Sequence, residues 1–199
     1  AAQYPGTYYG QLAAARIGSA KTLLFVNEQH TGEEITNAVI ASHEMFAVIR
    51  LLNFIGQDRL AGIFMSRLVE ISKGQADHAL IARFAHSLGR HDLAIRAAKQ
   101  ATRDGYVSNA RIFPLVDLPF AYANGELEHA LVLALTRQES LFSRTAASPA
   151  GARGLMQLMP GTAREVAGRQ NLSYSPSALT SDPSYNIRLG SSYFQRMLG

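Results

Sequence analysis

The run Ala130-Leu131-Val132-Leu133-Ala134-Leu135-Thr136-Arg137-Gln138-Glu139-Ser140 opens with six apolar residues and closes on a carboxylate. Ala and Leu are strong helix formers, so the run reads as a helix. Asn124 is its expected N-cap, with Glu126 and Glu128 in a first turn where the helix dipole favours acids. A helix apolar on every face is expected to be buried on all sides. Glu139 then emerges in the last turn, where a carboxylate in apolar surroundings is costly unless it has a partner or a use.

The residues that follow bear on that choice. Ser148-Pro149-Ala150-Gly151-Ala152-Arg153-Gly154 is a loop of small residues, which lets a polymer approach the backbone closely. Leu155-Met156-Gln157-Leu158-Met159 alternates and ends at Pro160, which is tolerated in the first turn of a further helix. Gln157 has the reach to bond an N-acetyl or hydroxyl group, and Met156 and Met159 offer soft apolar surface to a sugar face; the alternative for both methionines is core packing. Apolar surroundings and the negative end of a helix both disfavour a charged carboxylate. A protonated carboxylic acid is what general-acid cleavage of a glycosidic bond requires. The competing reading of Glu139 is an ion pair with Arg137 or Arg144.

Upstream the chain reads helical almost throughout. Met45, Val48, Ile49, Leu52 and Ile55 have helix spacing up to Gly56; Leu60, Phe64 and Leu68 follow behind a cap at Asp58. Leu80, Ile81, Phe84 and Leu88 lead to Gly89, and Asp92 caps a fourth helix that ends near Gly105. Thr31-Gly32-Glu33-Glu34 resembles a capping box ahead of Ile35. A shift of 33 residues superposes Arg50 on Arg83, Gly56 on Gly89, Leu60 on Leu93 and Ala61 on Ala94. That fits two helix pairs of an α-superhelix, whose stacked units need about three copies to stand alone. Two unrelated helical hairpins would also fit. Between 105 and 125, Pro114, Pro119 and the flanking glycines mark a connector.

The 199 residues include no Cys and no Trp, with 47% hydrophobic and 17% charged. This is a globular composition, and the lack of Cys excludes disulfides, thiolate metal sites and a Cys nucleophile. No apolar run reaches the roughly 18 residues of a transmembrane helix. The six histidines form no metal-binding motif, and phosphate-loop and dinucleotide motifs are absent. Residues 1–130 carry 12 Lys/Arg and 12 Asp/Glu, whereas 131–199 carry 7 Arg and 3 acids, so the whole +4 sits in the last third. That favours an anionic partner; the neutral repeat region argues against nucleic acid.

Three stretches together resemble the soluble lytic transglycosylases, bacterial cell-wall enzymes with a lysozyme-like catalytic domain. They are Glu139-Ser140, Ser148 through Pro160, and Asn186-Ile187-Arg188-Leu189-Gly190-Ser191-Ser192-Tyr193. More weakly, Tyr8-Tyr9-Gly10-Gln11-Leu12-Ala13-Ala14 and Ile112-Phe113-Pro114-Leu115 resemble the superhelical and linker regions of that family. The resemblance implies a mainly all-α chain: the end of an α-superhelix and its linker over 1–110, then a lysozyme-like catalytic domain over 111–199. The family's later Tyr-Asn-Ala-Gly motif is absent, so this domain is expected to be truncated and activity to belong to the intact protein. Glu139 would be the single catalytic acid/base, with Ser148, Gln157 and Met159 lining the sugar groove. The reaction would cleave the bond between N-acetylmuramic acid and N-acetylglucosamine in periplasmic peptidoglycan strands, forming a 1,6-anhydro sugar, with no cofactor or metal.

The acid count points the same way. Two-carboxylate glycosidases need a second acid about 5–10 Å from the first, and 131–199 offers only Glu165 and Asp182. Asp182, before Pro183, reads as an N-cap and Glu165 as a surface residue. Two other functions stay open: a lysozyme-like hydrolase, in which water replaces the 6-hydroxyl, and an inactive helical-repeat scaffold that binds cell wall.

Overall fold

A computed structural model describes residues 8–18, 41–104, 112–119 and 127–198. Among these the regular elements are all helical: α1 (Tyr8–Arg16), α2 (Met45–Phe54), α3 (Asp58–Ile71), α4 (Gln75–Ser87), α5 (His91–Arg103), α6 (His129–Ser140), α7 (Pro160–Arg169), α8 (Ala178–Ser181) and α9 (Pro183–Leu198). The chain divides into two compact units, Ala1–Pro114 and Leu115–Gly199. The capping box at Thr31 lies outside the described residues. The cap expected at Asn124 is corrected: α6 opens at His129 with Glu128 at its N-cap, so the helix starts after Glu126 and Glu128 and carries no acid in its first turn.

In the first unit α2 pairs with α3 and α4 with α5. Each pair of helices is joined through a glycine in the left-handed region, Gly56 at φ 71° and Gly89 at φ 70°. The same bonds close both turns. Gln57 N–H donates to the Leu52 carbonyl at 2.8 Å and Arg90 N–H to the Ala85 carbonyl at 3.0 Å, the wide bond of a Schellman cap. The 33-residue shift thus superposes two hairpins with one closing geometry. Their core is Ile49, Ala61, Met65, Leu68, Ile81, Phe84 and Leu93.

Two local expectations are corrected here. The buried stripe of α3 is Ala61, Met65 and Leu68 rather than Leu60, Phe64 and Leu68; Leu60 and Phe64 lie partly in solvent. The small Ala61 lets the helix approach its neighbours closely, and the larger side chains turn outward. Asp58 and Asp92 are not at the N-caps, which are Gln57 and Arg90, but inside the first turns of their helices. Both instead hold Arg90: Nη1 donates to Asp58 at 3.1 Å, and Nε and Nη2 donate to Asp92, each at 2.9 Å. Burial alone would lower the Arg90 pKa, but the bond to Asp92 and the charges of Asp92 and Asp58 outweigh it and raise the value. Arg90→Met is expected to destabilise this unit by about 1–3 kcal/mol, because Asp92 is left buried without its charged partner. Urea unfolding followed by circular dichroism measures it.

In the second unit the core forms from Leu158, Ala163, Val166, Ala167, Leu179 and Leu189, with Tyr185 and Tyr193 against it. Pro160 opens α7 as its first residue. Pro183 opens α9, where the Asp182 carboxylate accepts the Tyr185 N–H at 3.1 Å, an N-cap as read from the sequence. Glu165 is exposed and joins α7 to α9 through Arg196 at 2.8 Å, with Arg169 at 3.1 Å. The Arg196 bond holds the Glu165 carboxyl below its ordinary range. A depressed carboxylate stabilises the fold above its unfolded-state value, and that contribution is lost as pH falls through the folded value. Glu165→Gln is therefore expected to lower thermal stability slightly at neutral pH, where the ion pair is exposed and screened, and to leave it unchanged in acid, so that the loss on acidification shrinks by that same small amount. Melting curves from neutral to acid pH test this. Among the described residues no helix is long and apolar enough to cross a membrane.

Candidate active site

Helix α6 does not bury all its faces. Val132 and Thr136, one turn apart, are buried, while Ala130, Leu131, Ala134, Gln138 and Glu139 are exposed. Alanines cost little to leave in water, so an apolar composition did not oblige burial. The apolar surroundings expected around Glu139 are not formed by the described residues. Nor is the competing ion pair: among them the Glu139 carboxylate makes no hydrogen bond or salt bridge. Arg137 is half-buried, and burial lowers its pKa from the ordinary arginine value.

The chain leaves α6 abruptly. Leu141 has φ 53° and Phe142 φ 66°, two successive left-handed residues with side chains, each costing about 1–2 kcal/mol. Ser140 Oγ donates to the Thr136 carbonyl at 3.1 Å, Leu141 N–H to Arg137 O at 3.1 Å, and Ser143 N–H to Ser140 O at 3.1 Å. Phe142 is buried and anchors the reversal. Glu139 thus stands on the last turn of a helix, directly before a strained exit.

The small-residue loop is closed by its own bonds. Ser148 Oγ accepts the Ala152 N–H at 3.0 Å, and Ser148 N–H donates to Ala152 O at 2.9 Å. Arg153 and Leu158 exchange backbone bonds at 3.0 and 3.1 Å, and Gly154 N–H donates to Ala146 O at 2.8 Å. Gln157, at φ 45°, donates from Nε2 to Gly154 O at 2.9 Å and to Ala146 O at 3.2 Å. Its amide nitrogen is therefore spent on the loop, leaving Oε1 as the end able to meet a ligand. Met159 is 43% exposed, whereas Met156 is 2% exposed. Of the two methionines expected to face a sugar, only Met159 stays at the surface. Met156 is drawn inward because it packs across Gly190.

The structure joins Ser148 and Gln157 in one network through Ala146, Ala152 and Gly154, with Met159 two residues beyond Gln157. No bond among the described residues ties Glu139 to them; the turns at Ser143 and Ala146 connect the two parts. The sequence reading gave no role to Asn186 or Gly190, though their spacing of four on a buried helical face was the available signal.

The fold and this site define an all-α protein with a lysozyme-like domain. Residues 120–199 match the family model described as Transglycosylase SLT domain. Across 192 residues, 94% of this chain, it is 32% identical to the soluble lytic murein transglycosylase of Escherichia coli K12. The chain spans only 29% of that protein's length. A membrane-bound lytic murein transglycosylase F from Vibrio cholerae is 39% identical over 79 residues, 40% of this chain and 13% of that one. Among solved structures, a 70-kDa soluble lytic transglycosylase in complex with bulgecin A superposes with a TM-score of 0.78 at 30% identity. That match covers 96% of this chain and 31% of the other. An inactive Glu-to-Gln mutant of the lytic transglycosylase Slt of Pseudomonas aeruginosa matches with a TM-score of 0.77 at 26% identity, over 96% of this chain and 31% of that one. Residues 120–199 thus carry a Transglycosylase SLT domain, and the chain as a whole is similar to the soluble lytic transglycosylases.

Proposed function

We propose that this chain carries the acid/base residue and part of the sugar groove of a periplasmic peptidoglycan lyase. In this reading residues 1–110 are the end of the superhelix with its linker, and 111–199 belong to the lysozyme-like catalytic domain. Glu139 protonates the oxygen between N-acetylmuramic acid and N-acetylglucosamine as the C1–O bond breaks. The resulting carboxylate takes the proton of the muramoyl 6-hydroxyl while that oxygen bonds to C1. The product is a 1,6-anhydro sugar and no water is consumed. Ser148, Gln157 and Met159 line the groove, and the net positive charge of the last third suits a polymer bearing lactyl and peptide carboxylates.

The observation that carries this reading is the exposed Glu139 carboxylate, without a partner among the described residues, on a strained helix end just before the small-residue loop. The other two acids of 131–199 are already engaged, Asp182 as a cap and Glu165 in ion pairs, which favours a one-carboxylate scheme. Inactivity of a Glu-to-Gln mutant of the Pseudomonas relative supports it further. The test is digestion of purified peptidoglycan by the longest native form of the protein, read by mass spectrometry. Anhydro-muramoyl products are expected. Products heavier by one water make it a hydrolase, and binding without cleavage makes it a scaffold.

A further inference from the structure

Asn186 lies on the buried face of α9 and is 1% exposed. Its Oδ1 accepts the Met156 N–H at 2.9 Å. Its Nδ2 donates to the Leu179 carbonyl at 2.9 Å and the Arg153 carbonyl at 3.1 Å. Both ends of the amide are matched, so its orientation is fixed: flipping it would set a donor against an N–H and an oxygen against two carbonyls. Two of these bonds grip the turn at Arg153 and Met156, immediately before Gln157. One helical turn further on, Gly190 leaves room for the Met156 side chain, whose Cβ would lie 2.8 Å from a Cβ built there. The same helical face therefore holds the loop by its backbone and by a side chain.

Gln157 needs such a grip. A left-handed backbone at a residue other than glycine persists only where its surroundings over-determine it. The Gln157 side chain bonds back to Gly154 and Ala146, and Gly154 is flanked by the Arg153 and Leu155 peptide units that Asn186 steadies.

We infer that Asn186 is a positioning residue for the sugar-groove loop: buried away from substrate, it holds Gln157 in its left-handed conformation and so aims the Gln157 carbonyl oxygen. The inference rests on the proposed place of Gln157 in the groove.

The test uses Asn186→Asp and Asn186→Ala in the 199-residue chain, reading by NMR the φ-dependent coupling of Gln157 and its side-chain amide resonances. Asn186→Asp keeps an acceptor for Met156 but turns an oxygen toward two carbonyls. Near neutral pH the left-handed signature of Gln157 is expected to average out while helix signals persist. On acidification the protonated carboxyl can donate to one of those carbonyls, and the signature is expected to return in part. In the longest native form, turnover of peptidoglycan should fall about tenfold to a hundredfold and recover in parallel, relative to wild type at the same pH. A Gln157 signature unchanged in both variants overturns the inference. So does loss of all second-unit signals in both variants without recovery in acid, which marks Asn186 as structural only. A wild-type protein that leaves peptidoglycan intact contradicts the reading of the groove instead, and the Gln157 coupling then decides on Asn186 alone.

Discussion

Glu139→Gln is expected to reduce peptidoglycan cleavage by the intact protein about 10²- to 10⁴-fold, the usual contribution of a positioned general acid/base. The amide keeps the size and polarity of the side chain but can neither give a proton to the glycosidic oxygen nor take one from the 6-hydroxyl. Stability should hardly change. Glu139 is exposed and among the described residues holds no partner that the substitution would strand, and surface changes away from such features stay within about 0.5 kcal/mol. Binding of glycan strands should survive. Cleavage rates, melting temperature and co-sedimentation with purified cell wall separate these effects. A variant that loses activity only because it melts early would remove Glu139 from the chemistry.

Gly154→Ala carries the largest expected cost to the fold of the second unit. Gly154 has φ 75°, and a Cβ there would collide with the Leu179 carbonyl oxygen and the Asn186 amide nitrogen. The first is backbone and cannot turn aside. The second belongs to a side chain whose three bonds hold it in place. The left-handed backbone costs about 1–2 kcal/mol and the overpacking about 1–3 kcal/mol, so a loss of about 2–5 kcal/mol is expected. Denaturant unfolding measures it. A loss under about 0.5 kcal/mol, at the level of an ordinary surface change, would mean that the loop relaxes freely around this position.

Much of the helical order is legible in the chain. The repeat that brings Gly56 onto Gly89 matches two turns with the same left-handed closure, because the cap geometry itself demands glycine or an equivalent. Pro160, Pro183 and Asp182 mark helix starts for equally local reasons. What the sequence misplaces is set by distant contacts. Asp58 and Asp92 look like caps until Arg90 is seen between them. Helical spacing alone does not distinguish Leu60 and Phe64 from Ala61 and Met65 as the inward stripe of α3. The apolar run at 130–135 looks buried on all sides, but only one side of α6 is.

Within the candidate site, Glu139 and Gln157 can be picked out by residue type, whereas Ser148 and the choice of Met159 come from the family resemblance. The support beneath them is not picked out. Asn186 is thirty positions from Met156 in sequence, and no local pattern pairs the two. For Met156 the alternative of core packing holds, and Gly190, which makes room for it, is equally far off in sequence.

The most direct measurement is digestion of peptidoglycan in heavy-oxygen water by the longest native form of the protein, beside its Glu139→Gln variant. Attack by the 6-hydroxyl gives anhydro-muramoyl ends that carry no heavy oxygen and vanish in the variant. Products bearing one heavy oxygen at each new reducing end, or cleavage that persists without Glu139, would contradict a single-glutamate lyase.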